Sequence, residues 1–214
     1  SGVPRSRLKW RCRRAREPLI NFSNVTFYDA DLYTFPSVQR DSEFGGLHFE
    51  FVPGGTYEGQ GLNAVEARRV ADEVVRFAKE QHDRFTRGQP RLSLGVGTFN
   101  LRQQIAIQDE LERRRRDDPA IEAFSGQGLD EPAFLKTLEY IQGDERDVIF
   151  ISVTYGPGSD GRIRYNFGPL NGENGWRRLN VLVTRARRLM RVFSSMRGED
   201  INPTVAVSAG PRLL

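Results

Sequence analysis

Gln142-Gly-Asp-Glu-Arg-Asp147-Val-Ile-Phe-Ile-Ser-Val153 decides the fold. A charged turn runs directly into an apolar stretch, Val148 to Val153, broken only by Ser152. Apolar runs without alternation belong to strands covered on both faces, the hallmark of parallel sheets in α/β proteins. A second stretch repeats the arrangement, with Trp176-Arg-Arg-Leu-Asn-Val-Leu-Val-Thr-Arg185-Ala-Arg187 leading into the apolar run Leu189 to Phe193. Its spacing predicts a helix over Trp176 to Arg187 that carries several arginines. Polar groups at the edge of buried parallel strands are where α/β folds bind phosphorylated ligands. One edge here is acidic and amide-bearing and the other arginine-bearing, which points to a nucleotide site.

Working outward, helix and strand patterns alternate along the chain. Glu17 to Tyr28 reads as a helix and Leu47 to Val52 as a strand. Asn63 is a good N-cap for a long helix, Ala64 to Phe85, with Glu66 at the third helical position as in a capping box. Leu92 to Gly97 predicts a strand, Leu101 to Arg116 a helix, Phe134 to Leu138 a further strand, and Thr204 to Val207 a final one. The expectation is a single α/β domain over residues 1–214, with a mostly parallel sheet and helices on both faces. Residues 1–16 read as basic and irregular.

Composition narrows the class. The 214 residues suffice for one sizeable core, and the net charge of +4 fits a polyanionic partner. The cations are 29 Arg against 3 Lys. No apolar run reaches the roughly 20 residues that span a bilayer, so no membrane partner is expected and a cytoplasmic location is the default. Cys12 stands alone and there are two histidines, so neither an internal disulfide nor a metal site is expected. The only Lys-Thr pair, Lys136-Thr137, follows Leu135 where a phosphate loop needs glycine, and no apolar strand ends in an Asp-Glu pair that would hold magnesium.

Five stretches then carry a resemblance. They are Leu8-Lys-Trp-Arg-Cys-Arg13 with Leu19 through Tyr28; Asn63-Ala-Val-Glu66-Ala67; Leu94-Gly-Val-Gly-Thr98-Phe-Asn-Leu-Arg-Gln103; Thr137 through Tyr155; and Leu179 through Ser194. Over nearly its full length the chain resembles the second RecA-like domain, motifs IV to VI, of superfamily 1 DNA/RNA helicases. The subgroup is that of the nonsense-mediated-decay helicase and its bacterial relatives. The resemblance implies a RecA-like, P-loop NTPase-type fold lacking its own phosphate loop. It implies ATP and Mg2+ held mainly by an upstream RecA-like domain of the same chain, and single-stranded DNA or RNA crossing both domains. On its own this domain is expected to be inactive.

Residue by residue, the resemblance makes Arg185 the first and Arg13 the second candidate arginine finger. Such a residue stabilises the charge on the transferring phosphoryl group, by roughly 10³–10⁵ in rate. The alternative for each is an ordinary ion pair. Glu145 matches the position that contacts the ribose or relays to the nucleotide, and Gln142 and Gly143 match the turn that couples nucleotide to nucleic acid. Asp144, Arg146 and Asp147 are expected to serve the turn and its ion pairs. Relatives usually carry an adenine-stacking aromatic just before the arginine aligned with Arg13. Here that position is Cys12, leaving Trp10 as a substitute or the motif as altered. Thr98, Phe99, Asn100 and Thr137 are the expected nucleic-acid contacts, with Phe99 equally readable as core and each threonine as a strand-end hydroxyl bonding local backbone. A reading of another class is a nucleic-acid-binding or docking module that kept the fold and lost ATP coupling. A self-sufficient hydrolase is disfavoured by the missing phosphate loop.

Overall fold

The computed structural model describes residues 17–27, 30, 45–57, 61–116, 131–173, 175–202 and 204. Its elements are α1 (Glu17–Phe27), β1 (Gly46–Phe51), α2 (Ala64–Thr86), β2 (Leu94–Thr98), α3 (Leu101–Arg115), β3 (Phe134–Thr137), β4 (Arg146–Ser152), α4 (Gly175–Val183) and β5 (Ala186–Ser194). The strands form one five-stranded sheet in the order β1-β5-β4-β2-β3. Every pairing is parallel.

One core cluster joins α1 and α4 to the sheet through Leu19, Ile149, Ile151, Leu179 and Leu182. The other packs α2 and α3 on the opposite face through Val70, Phe77, Ile107, Phe150 and Phe193. This is the two-faced α/β sheet that the apolar runs predict. Asn63 caps α2 as expected, its side chain accepting from the Glu66 amide. Four strand starts move. β1 begins at Gly46 rather than Leu47, β2 at Leu94 rather than Leu92, β4 at Arg146 rather than Val148, and β5 at Ala186 rather than Leu189. Thr204 lies in a turn, and the rest of the expected final strand lies outside the described residues.

The connection from β3 to β4 must pass over β2, and two glycines make that possible. A Cβ on Gly97 would stand 2.8 Å from the Cδ1 atoms of both Ile141 and Ile151, and one on Gly95 would strike the Phe134 ring. Gly95 and Gly97 share one face of β2 by strand alternation. Their bare backbone therefore admits Ile141, which is fully buried, and with it the short crossover through the 3-10 turn Leu138–Tyr140. That crossover delivers the Gln142–Asp147 turn to the start of β4.

Candidate nucleotide and single-strand sites

The starts of β4 and β5 lie side by side. Arg146 pairs with Ala186 across the sheet, and the Arg146 amide donates to the Arg185 carbonyl at 3.2 Å. Glu145 and Arg185 therefore occupy neighbouring positions at the amino edge. Gly143 has φ +96°, a left-handed conformation open to glycine, and shapes the exposed turn that bears Gln142. The other charges of this turn serve the fold. Lys136 pairs with Asp144 at 2.8 Å. Arg146 donates to the Pro132 carbonyl and lies over the Phe134 ring. Asp147 accepts from the Ser93 amide and pairs with Arg187 and Arg188.

Here the expected end of the arginine-bearing helix, at Arg187, is corrected; Arg177 and Arg178 remain on it. α4 ends at Val183, so Arg185 sits in the turn after it and Arg187 inside β5. The chain has to leave the helix early because Ala186 already pairs with β4. The two arginines consequently do different things. Arg185 is 8% exposed and folds back on the helix end, its Nε donating to Val181 O at 2.9 Å and a terminal nitrogen to Thr184 Oγ1 at 3.0 Å. Carbonyls at a helix C-terminus attract a cation, which holds the guanidinium in place. Arg187 clamps Glu131 through both terminal nitrogens, donates to Ser93 Oγ at 3.0 Å and reaches Asp147 at 3.3 Å. The hydrogen bonds from Arg187 hold the Glu131 carboxyl down at about 2, and the same bond with Glu131 raises the Arg187 pKa.

At the carboxyl edge, Thr98 and Thr137 are register partners at the ends of β2 and β3. Neither hydroxyl faces outward freely. Thr98 is 0% exposed and donates to the Asn100 carbonyl at 3.0 Å, and Thr137 is 5% exposed. Phe99 is corrected from a stacking candidate to a core residue. It is 1% exposed and meets Tyr155 edge-to-face, because the turn after β2 points its ring back into the sheet. Asn100 caps α3, its Oδ1 accepting from the Gln103 amide at 2.9 Å.

Beneath this edge lies a buried network that sequence reasoning saw only as a capping box. Glu66 Oε1 accepts from Ser152 Oγ and the Thr154 amide, each at 2.6 Å. Its Oε2 has longer contacts, from Ser195 Oγ at 3.4 Å and Asn63 Nδ2 at 3.5 Å. Gln103 bridges Asn63 and Ser152. Gly55 packs so closely that a Cβ would fall 1.9 Å from Ser195 Oγ. Every partner of Glu66 is uncharged, and burial raises its pKa to about 7 against the lowering effect of those hydrogen bonds. Thr154 takes φ +72°, rare for a β-branched residue. Its amide bond to Glu66 is what the conformation secures.

Trp10, Cys12 and Arg13 lie outside the described residues. Among the described residues, no group of three His, Cys, Asp or Glu is placed to hold a metal, and no helix is long and apolar enough to cross a membrane.

Residues 11–197 match the family model described as an AAA domain. The chain belongs to that AAA domain family. It is a helicase-family domain of the second RecA-like type, as the motifs imply. Over 211 residues it is 30% identical to an uncharacterized ATP-dependent helicase of Mycoplasma genitalium, covering 97% of this chain and 17% of that protein. The homolog from Mycoplasma pneumoniae is 28% identical over the same coverage. The chain thus spans about a sixth of the length of the curated relatives it matches (17%). The C-terminal domain of a possible DNA helicase from Lactobacillus plantarum superposes with a TM-score of 0.45 at 11% identity, over 94% of this chain and 97% of that one.

Proposed function

We propose that this domain is the C-terminal motor half of an ATP-dependent superfamily 1 helicase or translocase. In this reading Arg185, with Arg13 as a second finger, meets the phosphates of ATP. The nucleotide and Mg2+ are held mainly by an upstream RecA-like domain. Glu145, Gln142 and Gly143 line the nucleotide side, with Trp10 available to the base. The carboxyl edge faces single-stranded DNA or RNA through Asn100 and the backbone at Thr98 and Thr137, and Phe99 contributes only as core. Backbone contacts to phosphate position a strand without reading its sequence.

The observation that carries this reading is the placement of Glu145 and Arg185 on adjacent strand starts, joined by the backbone hydrogen bond from Arg146 to the Arg185 carbonyl. A carboxylate suited to a ribose and a guanidinium suited to two phosphate oxygens then share one edge of a domain with no phosphate loop of its own. Such an edge can complete a nucleotide site but not build one.

The test is single-strand-stimulated ATPase of the intact protein, wild type against Arg185→Ala. The expected result is a fall of about 10³ in turnover with nucleotide affinity largely kept. Unchanged turnover removes Arg185 from the mechanism. A wild type without turnover favours the binding-module reading.

A further inference from the structure

A separate corner of the carboxyl edge gathers hydrogen-bond donors that the fold itself does not use. Gly61, at φ +79°, lies just before α2 and has no side chain. A Cβ placed there would stand 3.5 Å from Arg102 Cδ, 3.9 Å from Asn100 Nδ2 and 4.0 Å from Tyr57 Oη. Three side chains from two separate stretches of the chain thus converge on one point over bare backbone.

Their bonding leaves the donors available. Asn100 uses Oδ1 to cap α3, which turns its Nδ2 the other way. Among the described residues, nothing accepts from Asn100 Nδ2, Tyr57 Oη or the exposed Arg102 guanidinium. Tyr57 is fixed by its ring, edge-on to Tyr155 at 5.2 Å, and by its amide, which donates to Pro157 O at 2.8 Å. Burial raises its pKa, so the hydroxyl remains a donor through neutral pH.

The amide and phenol donors meet beside bare backbone, and the Arg102 stem passes the same point with an exposed guanidinium at its end. Guanidinium, amide and phenol donors are the chemistry that binds a phosphate oxygen. This corner cannot serve the nucleotide held at Glu145 and Arg185. β4 runs from that edge to this one over seven residues, about 20 Å at a strand's rise per residue. We propose that Tyr57, Asn100 and Arg102 form a phosphodiester-binding corner that grips the backbone of a single strand crossing the carboxyl edge. The proposal rests on the single-strand reading above and adds Tyr57 and Arg102 to the Asn100 contact in it.

The experiment measures binding of fluorescent oligo(dT) to the intact protein across a salt series. Arg102 is exposed, so Arg102→Ala leaves the fold in place. It is expected to weaken binding roughly tenfold and to lower the slope of log K against log salt by about 0.7, the value for one phosphate contact on a single strand. Arg102→Lys restores the slope. Tyr57→Phe weakens binding a few-fold without changing the slope, and Asn100→Asp, which keeps the helix cap but turns a donor into an anion, weakens it more. Wild-type affinity and slope in Arg102→Ala would overturn the corner while leaving the single-strand reading intact. A wild type that binds no single strand overturns both. Inorganic phosphate is the second probe. Millimolar competition is expected of a lone anion, and displacement of the strand by micromolar phosphate would assign the corner to a small anion instead.

Discussion

At the starts of β4 and β5, Arg187, Asp147, Glu131 and Ser93 hold one another by charge, whereas at the ends of those strands Glu66 is held by hydroxyls and amides alone. Both arrangements fasten the same pair of strands. They respond to pH in opposite directions. Glu131 is depressed to about 2 from its ordinary 4.5, so the amino-edge clasp contributes fully above 4.5 and is lost as pH falls toward 2. Glu66 is raised from 4.5 to about 7, so its contribution is fullest below 4.5 and is lost as pH rises through 7. The exposed, charged turn before β4 tolerates a charged clasp beside it. The buried carboxyl edge is built instead from neutral groups around one carboxyl.

The largest effect that would sharpen this contrast comes from Glu66→Gln. Glutamine keeps an oxygen for Ser152 and Thr154 and offers its nitrogen to Ser195, but it cannot ionise. The wild type should lose about 3 kcal/mol relative to this variant between pH 4.5 and pH 8, from a shift of that size. Urea unfolding of both proteins across that range reads it. Parallel pH profiles would mean that Glu66 is solvated and that the neutral network is not closed.

Arg187→Ala addresses the other edge. It removes the partner of Glu131 and one of the two arginines paired with Asp147, and should cost about 2 kcal/mol at neutral pH, discounted because the pair is partly exposed. The difference should shrink as pH falls from 4.5 toward 2, where Glu131 in the wild type also loses its charge. A cost that persists undiminished at low pH would make the role of Arg187 one of packing.

Much of this was legible in local sequence. Largely apolar runs such as Val148 to Val153 mark covered parallel strands, and Asn63 marks the start of α2, because burial and capping leave short-range patterns. The motifs single out Arg185 and Glu145 as candidates, and their shared edge follows once β4 and β5 are known to be neighbours. Spacing does not fix the helix end, because an arginine-rich stretch looks the same whether it finishes a helix or begins a strand, and pairing of Ala186 with β4 decides between them. Phe99 was ambiguous for a related reason: an aromatic after a strand can face either way, and the core took it. Glu66 gave no sign of its partners, since Ser152, Thr154 and Ser195 lie far along the chain. The corner of Tyr57, Asn100 and Arg102 depends likewise on where two loops meet.

Thr154 supplies the smallest and most discriminating test of the carboxyl edge. Its backbone sits at φ +72°, where an L-residue with a Cβ is strained by roughly 1–2 kcal/mol. Glycine relieves that strain but adds freedom to the unfolded chain worth about 1 kcal/mol. The threonine hydroxyl gives up little, since its one contact, to Ser152 O, is 3.4 Å long. The amide bond to Glu66 survives because it is backbone. Thr154→Gly should therefore fall within about 1 kcal/mol of the wild type by urea unfolding, although the residue is wholly buried at a strand end. A loss well beyond that would show that the side chain itself holds the turn. Near neutrality would place the hold in the Glu66 carboxyl, and combining Thr154→Gly with Glu66→Gln would then change stability by the sum of the two single effects only if the strain and the carboxyl act separately. Both changes act on one hydrogen bond, so the double variant is expected to depart from that sum.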